Sequence, residues 1–150
     1  MTYQLVGRTA PGTTGQGRGR DGHGPAHRLS YVLVVDDEAQ VREFLMRWLE
    51  GWGYAVKQAG SASEALEVML AEPASIILCD IKMPGHDGLW LAERVGTRWP
   101  RTAVIMATAV NDIQTVLSSR KLGAVDYVTK PFGRELLLQA LHRATATLGA

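Results

Sequence analysis

The chain has 150 residues, 46% of them hydrophobic and 21% charged, with a formal net charge of +1. That length fits one domain with a real core and some to spare, and the near-neutral balance gives no reason to expect nucleic-acid binding through bulk electrostatics. The single Cys79 rules out an internal disulfide framework and fits a reducing compartment, while no apolar run approaches the roughly 18 residues that a membrane span needs.

The first ten residues, MTYQLVGRTA, lack the apolar stretch of a secretory leader, so a cytoplasmic location is expected. Arg8, Arg18, Arg20 and Arg28 against Asp21 give residues 1–28 an excess of three positive charges, and the remainder is net negative by two. The segment PGTTGQGRGRDGHGP is Gly-rich with almost no large apolar side chains, so burial cannot offset its ordering entropy. Residues 1–28 therefore read as a disordered tail or linker, and 29–150 as the folded domain. The formal GxGxxG from Gly17 to Gly22 has no strand before it and no helix after it, which removes its phosphate-binding meaning.

From residue 31 short apolar runs alternate with helical periodicity. YVLVV (31–35) is strand one. In helix one, VREFLMRWLE, residues Val41, Phe44, Leu45, Trp48 and Leu49 form a stripe at helical spacing and predict a core face; Gly51 and Gly53 end it. AVKQA (55–59) is strand two, and SASEALEVMLAE is helix two, with Ser61 and Glu64 at capping-box spacing. SIILC (75–79) is strand three, followed by the loop DIKMPGHDG, where Gly85 and Gly88 read as turn residues, and helix three through Trp99. TAVIMA (102–107) is strand four, helix four runs from about Asp112 to Leu122, DYVT (126–129) is strand five, and helix five takes the rest after Lys130-Pro131.

Strict strand–helix alternation predicts a flavodoxin-like α/β fold, a parallel five-stranded sheet with helices on both faces. Strands one, three and four are almost wholly apolar and suit the centre, while Lys57, Gln58, Asp126 and Thr129 place strands two and five at the edges. Right-handed crossovers then permit the order 2-1-3-4-5, with a crevice where the winding reverses at the carboxyl ends of strands one and three. Asp36 and Asp37 end strand one, Asp80 ends strand three, Thr108 follows strand four and Lys130 follows strand five.

Each residue alone has a plain structural reading. Acids at a helix N-terminus are worth about 0.3–1 kcal/mol as caps, Thr108 suits a strand and Lys130 a solvated surface. Their convergence on one edge of one sheet needs another account. Three ionised carboxylates repel, and a hard divalent cation relieves that repulsion while leaving positions for phosphate oxygens. A carboxylate is also a competent phosphoryl acceptor, and phosphoryl transfer needs mainly positioning and charge neutralisation.

The motifs VVDDE, CDIKMPGHDG, ATA and GAVDYVTKPF, in that order, resemble those of bacterial response-regulator receiver domains over residues 30–148. The resemblance implies Asp80 as phosphoacceptor, and Mg²⁺ (or Mn²⁺) held by Asp37, Asp80 and the Lys82 backbone carbonyl, with Asp36 acting through water. It implies phosphoryl contacts from Thr108 and Lys130, a switch aromatic at Tyr127, and a cis Lys130-Pro131 bond. The implied donor is a phosphohistidine on a sensor histidine kinase or phosphotransfer protein. The implied output is a change of the face formed by helix four, strand five and helix five.

Leu136, Leu137 and Leu138 are consecutive, so they cannot all face the core. With Ala140 they predict an apolar strip for a protein partner or a homodimer, with Leu136, Leu138 and Ala140 as interface residues. Arg42 and Met46 are candidates to face a docking kinase, His86 reads as an exposed loop residue, and Cys79 as packing. His23, His27, His86 and His142 show no metal-ligand spacing. Lys82 and Val110, each two residues beyond a site residue, are placed to tune water access. No separate substrate turnover, no direct nucleic-acid contact and no membrane contact are expected. The rival readings are an Asp36-nucleophile phosphatase, a flavin-binding module, and a degenerate receiver that only binds proteins. The acidic first loop opposes the flavin module by repelling phosphate. The effector is not legible: the chain is either a stand-alone receiver or a piece of a longer protein.

Overall fold

A computed structural model of the chain describes residues 29–119 and 125–149. The tail expected for residues 1–28 and the last turn expected for helix four lie outside the described residues. The elements are β1 (Val32–Val35), α1 (Ala39–Gly51), β2 (Val56–Ala59), α2 (Ala62–Ala71), β3 (Ile76–Asp80), α3 (Gly88–Arg98), β4 (Ala103–Ala109), α4 (Ile113–Ser119), β5 (Val125–Lys130) and α5 (Arg134–Gly149). A 3-10 turn, Val110–Asp112, joins β4 to α4.

The five strands pair in parallel in the order β2-β1-β3-β4-β5. β1 and β3 alternate their apolar side chains between two cores, as strands covered on both faces must. Leu33, Val35, Ile77, Cys79 and Met106 pack with α2, α3 and Val116 of α4 on one face. Val32, Val34, Ile76, Leu78 and Ile105 pack with α1 and α5 on the other. Lys57 and Gln58 of β2 are exposed, in keeping with an edge strand.

Local signals set the helix boundaries. Ser61 caps α2 by accepting from the Glu64 N–H at 3.0 Å, and the Glu64 carboxylate returns to the Gly60 N–H at 2.7 Å. Asp87 caps α3 by accepting from the Trp90 N–H at 2.9 Å. The chain leaves α1 through Gly53, whose φ of 95° favours glycine. Gly88 answers to a different need from the turn role expected of it. A side chain there would press on the Asp80 carbonyl and stand 2.8 Å from the Met106 methyl, so its missing Cβ lets α3 start against the end of β3. Gly85, with φ of 78°, is the turn residue.

Two packing expectations need correction. Phe44 is 48% exposed: α1 offers a stripe wider than the sheet can cover, and only Leu45 and Leu49 are buried on it. The Phe44 ring packs instead on Trp48, with centroids 4.7 Å apart. Ala140, expected on an exposed strip, is 0% exposed. It belongs to the buried set Leu137, Ala140, Leu141 and Ala144, the i, i+3, i+4, i+7 stripe by which α5 meets the sheet. Leu136 is exposed and Leu138 half-buried, so the outward apolar surface of α5 is narrower than expected. Among the described residues no helix is long and apolar enough to cross a membrane.

Candidate functional site

The acidic residues expected at the switch point do meet there. β1 and β3 are direct neighbours, with Val35 opposite Cys79, so the residues after each strand emerge side by side. Asp36, Asp37 and Asp80 each present an oxygen, and these lie within 4.8 Å of one another. Asp36 is buried, Asp80 half-buried and Asp37 exposed, which grades the cluster from core to solvent.

The simple capping reading fails on geometry. α1 is preceded by Glu38, whose side chain makes no capping bond, and no acid occupies the first turn. The Asp36 carboxylate accepts from the Glu38 N–H at 2.9 Å, which orders the β1–α1 loop. The Asp36 main chain is fixed from both sides. Its N–H donates to the Ala59 carbonyl at 3.2 Å, and its carbonyl accepts from the Arg42 guanidinium at 2.7 Å. Arg42 also donates to Gln58 at 2.7 Å, so it braces this loop against β2. Met46, paired with Arg42 as a candidate docking residue, is half-buried against the α1–α5 core.

Lys130 closes the cluster. Its Nζ lies 3.0 Å from Asp80 Oδ1, reaching in from the end of β5. Thr108, opposite Thr129 near the carboxyl end of β4, is buried, and its hydroxyl donates to the Ala109 carbonyl at 3.2 Å. β4 runs two residues further than expected, through Ala109, because Thr108 and Ala109 pair with Thr129 and Lys130. Tyr127 lies on β5, half-buried against the α2–α4 core. The Lys130-Pro131 bond is cis.

The electrostatics match this arrangement. Burial pushes the Asp36 carboxyl above its ordinary range; the Glu38 N–H pulls it back, the Asp80 charge raises it, Lys130 lowers it, and Asp37 raises it. Burial also drives the Cys79 thiol far up, helped by the Asp80 and Asp36 charges, so Cys79 is a packing residue without thiolate character. Three carboxylates at this spacing can share a hard divalent cation, and one lysine offsets only part of their charge.

Several features at the site were missed in the sequence. Lys82 pairs with Asp112 across 3.6 Å. His86 is exposed in the loop, as expected, and its ring stacks on Trp90 with centroids 3.8 Å apart, a contact the sequence reading did not include. The role of Arg42 at the Asp36 carbonyl had no local signal.

The response regulator receiver domain family matches residues 32–142. The chain is 35% identical over 115 residues to a putative NtrX-like response regulator of Rickettsia bellii, covering 75% of this chain and 24% of that protein. It is 36% identical over 113 residues to the DNA-binding transcriptional regulator NtrC of Escherichia coli, covering 75% and 24%. The chain thus spans about a quarter of the length of these curated relatives. Among solved structures, the receiver domain of NtrX from Brucella abortus superposes with a TM-score of 0.73 at 30% identity, covering 77% of this chain and 98% of that one. The chemotaxis protein CheY4 of Vibrio cholerae superposes with a TM-score of 0.72 at 28% identity, covering 77% and 98%.

Proposed function

The chain belongs to the response regulator receiver family, and from that premise we propose that it is a phosphoryl-accepting switch in which Asp80 is the acceptor. The observation that carries this reading is the meeting of Asp36, Asp37 and Asp80 oxygens within 4.8 Å, with Lys130 on Asp80 at 3.0 Å. Asp37, Asp80 and the Lys82 backbone carbonyl would hold Mg²⁺ or Mn²⁺, with Asp36 acting through a water. When bound there, such a cation would supply charge neutralisation for the phosphoryl group.

An Asp80 carboxylate oxygen forms the new bond to phosphorus as the P–N bond of a phosphohistidine breaks, and the imidazole of the donor leaves with the electron pair. The donor belongs to a sensor histidine kinase or a phosphotransfer protein. Lys130 stays on the phosphoryl oxygens, and the Thr108 hydroxyl leaves the Ala109 carbonyl to join it. That movement vacates space beside β5, Tyr127 turns into it, and the α4-β5-α5 face changes. A switch from 1:99 to 99:1 takes about 5.5 kcal/mol of differential stabilisation, within reach of several charge-assisted contacts to a dianion. Leu136 and Leu138 are the apolar residues on α5 available for a protein partner or a homodimer; Ala140 is not. The setting is cytoplasmic, and the chain itself touches neither nucleic acid nor membrane.

Incubation with Mg²⁺ and acetyl phosphate tests the reading. One phosphoryl group is gained per chain, and Asp80→Asn abolishes the gain. Release of many phosphates per chain with no labelled protein would favour the Asp36-nucleophile phosphatase instead.

A further inference from the structure

Two lysines border the acidic cluster, and they are held differently. Lys130 lies on Asp80 at 3.0 Å. Lys82, two residues beyond Asp80, turns instead to Asp112, with Nζ 3.6 Å from Oδ1. The Lys82 side chain is 75% exposed and that of Asp112 only 18%, so the acid is the shielded partner and the lysine the solvated one. Asp112 closes the 3-10 turn that follows β4, four residues beyond Thr108. The pair therefore ties the loop after the acceptor to the connection after the hydroxyl-bearing strand, and both residues line one cleft of about 600 Å³ with Met83, Asp87 and Thr115.

We propose that Asp112 is a positioning residue that holds the Lys82 ammonium away from Asp80 until a phosphoryl dianion arrives. The proposal rests on the phosphoacceptor reading and adds its regulation. A lysine is a compact charge on a flexible stem, and an exposed ion pair costs little to exchange. With a cation among the carboxylates, the cluster holds little attraction for Lys82 and Asp112 keeps it. An incoming phosphoryl group restores excess negative charge at Asp80 and draws the ammonium across. Asp112 is then released, and with it the turn that leads into α4. Asp112 thus restrains acceptance before transfer and frees the β4–α4 connection after it.

The test follows the rate at which the full chain, with Mg²⁺, takes the phosphoryl group from acetyl phosphate, read by intact mass. In that step an Asp80 oxygen bonds to phosphorus, the P–O bond to the acetyl group breaks, and acetate leaves with the electron pair. Asp112→Asn is expected to label faster by roughly three- to tenfold, the size of a modest local gain in attraction for an anionic donor. Asp112→Glu restores the wild-type rate, and in a Lys82→Gln background Asp112→Asn brings no gain. A rate for Asp112→Asn equal to wild type, or an equal gain with and without Lys82, would overturn the inference while leaving the phosphoacceptor reading in place. Failure of the wild type to label would overturn both.

Discussion

Lys130 and Asp80, fifty residues apart in sequence, meet at 3.0 Å between Nζ and Oδ1. The contact brings the edge strand β5 to bear on the end of the central strand β3, and it supplies the cationic side chain that offsets the Asp36–Asp37–Asp80 cluster. Both groups are partly shielded, so the pair is worth more than a solvated one but far less than a dry one.

Lys130→Ala leaves three carboxylates facing one another. The metal-free protein is expected to lose about 1 kcal/mol of stability in urea at low salt, and millimolar Mg²⁺ should recover much of that loss by taking over the neutralisation. Labelling by acetyl phosphate should slow in the same variant.

Asp36 gives a pH dependence whose sign is fixed by its burial. Its folded-state pKa is raised, so between the ordinary carboxylate value and the raised one the folded chain holds the proton more tightly than the unfolded chain. Stability from this group therefore falls as pH rises through that window, and the cost is complete above it. Asp36→Asn should raise the Tm of the metal-free protein at pH 7 by roughly a few degrees, and the advantage should narrow as pH is lowered towards about 4. Mg²⁺ should stabilise the wild type more than the variant, because only the wild type carries the full cluster. Thermal scans at several pH values, with and without Mg²⁺, check both statements.

Much of the fold was legible because central strands and charged strand ends announce themselves. VLVV and IILC are too apolar for an edge, Lys57 and Gln58 too polar for a centre, and the order 2-1-3-4-5 follows. Asp36, Asp37, Asp80 and Lys130 were readable for the same reason: each interrupts or follows an apolar run, and a parallel sheet collects such interruptions on one edge. Helix phase was harder. A run of five apolar residues among 136–141 fits several rotations of α5, and the wrong one put Ala140 outside, although the spacing of Leu137, Ala140, Leu141 and Ala144 names the buried face. Phe44 obeyed the helical period yet lies beyond the width of sheet that α1 covers. The Lys82–Asp112 pair joins residues thirty apart on two loops, and nothing in local pattern signals such a contact.

Neighbouring leucines on α5 should behave oppositely. Leu137 is fully buried and Leu136 is 48% exposed. Leu137→Ala should cost about 2–5 kcal/mol through lost burial and a cavity, whereas Leu136→Ala should change stability by less than about 0.5 kcal/mol. Urea denaturation of the two variants settles the phase of the helix. Leu136 is then free to be tested for association by sedimentation.

Gly88→Ala should be costly although the position opens a helix. The added Cβ meets the Asp80 carbonyl and the Met106 methyl. The loss is expected at about 1–3 kcal/mol, and because the strain falls on the backbone of residue 80, labelling should slow as well. Gly85→Ala, with open space around it but φ of 78°, should cost about 1 kcal/mol from backbone conformation alone.

The most direct measurement locates the phosphoryl group itself. After reaction with Mg²⁺ and acetyl phosphate, borohydride reduces an aspartyl phosphate to homoserine, and peptide mass spectrometry then reads the modified position. Homoserine at residue 80, absent from 36 and 37 and absent throughout Asp80→Asn, is the result expected. Homoserine at Asp36 or Asp37 in the wild type, or phosphate release with no reduced residue, would contradict the account.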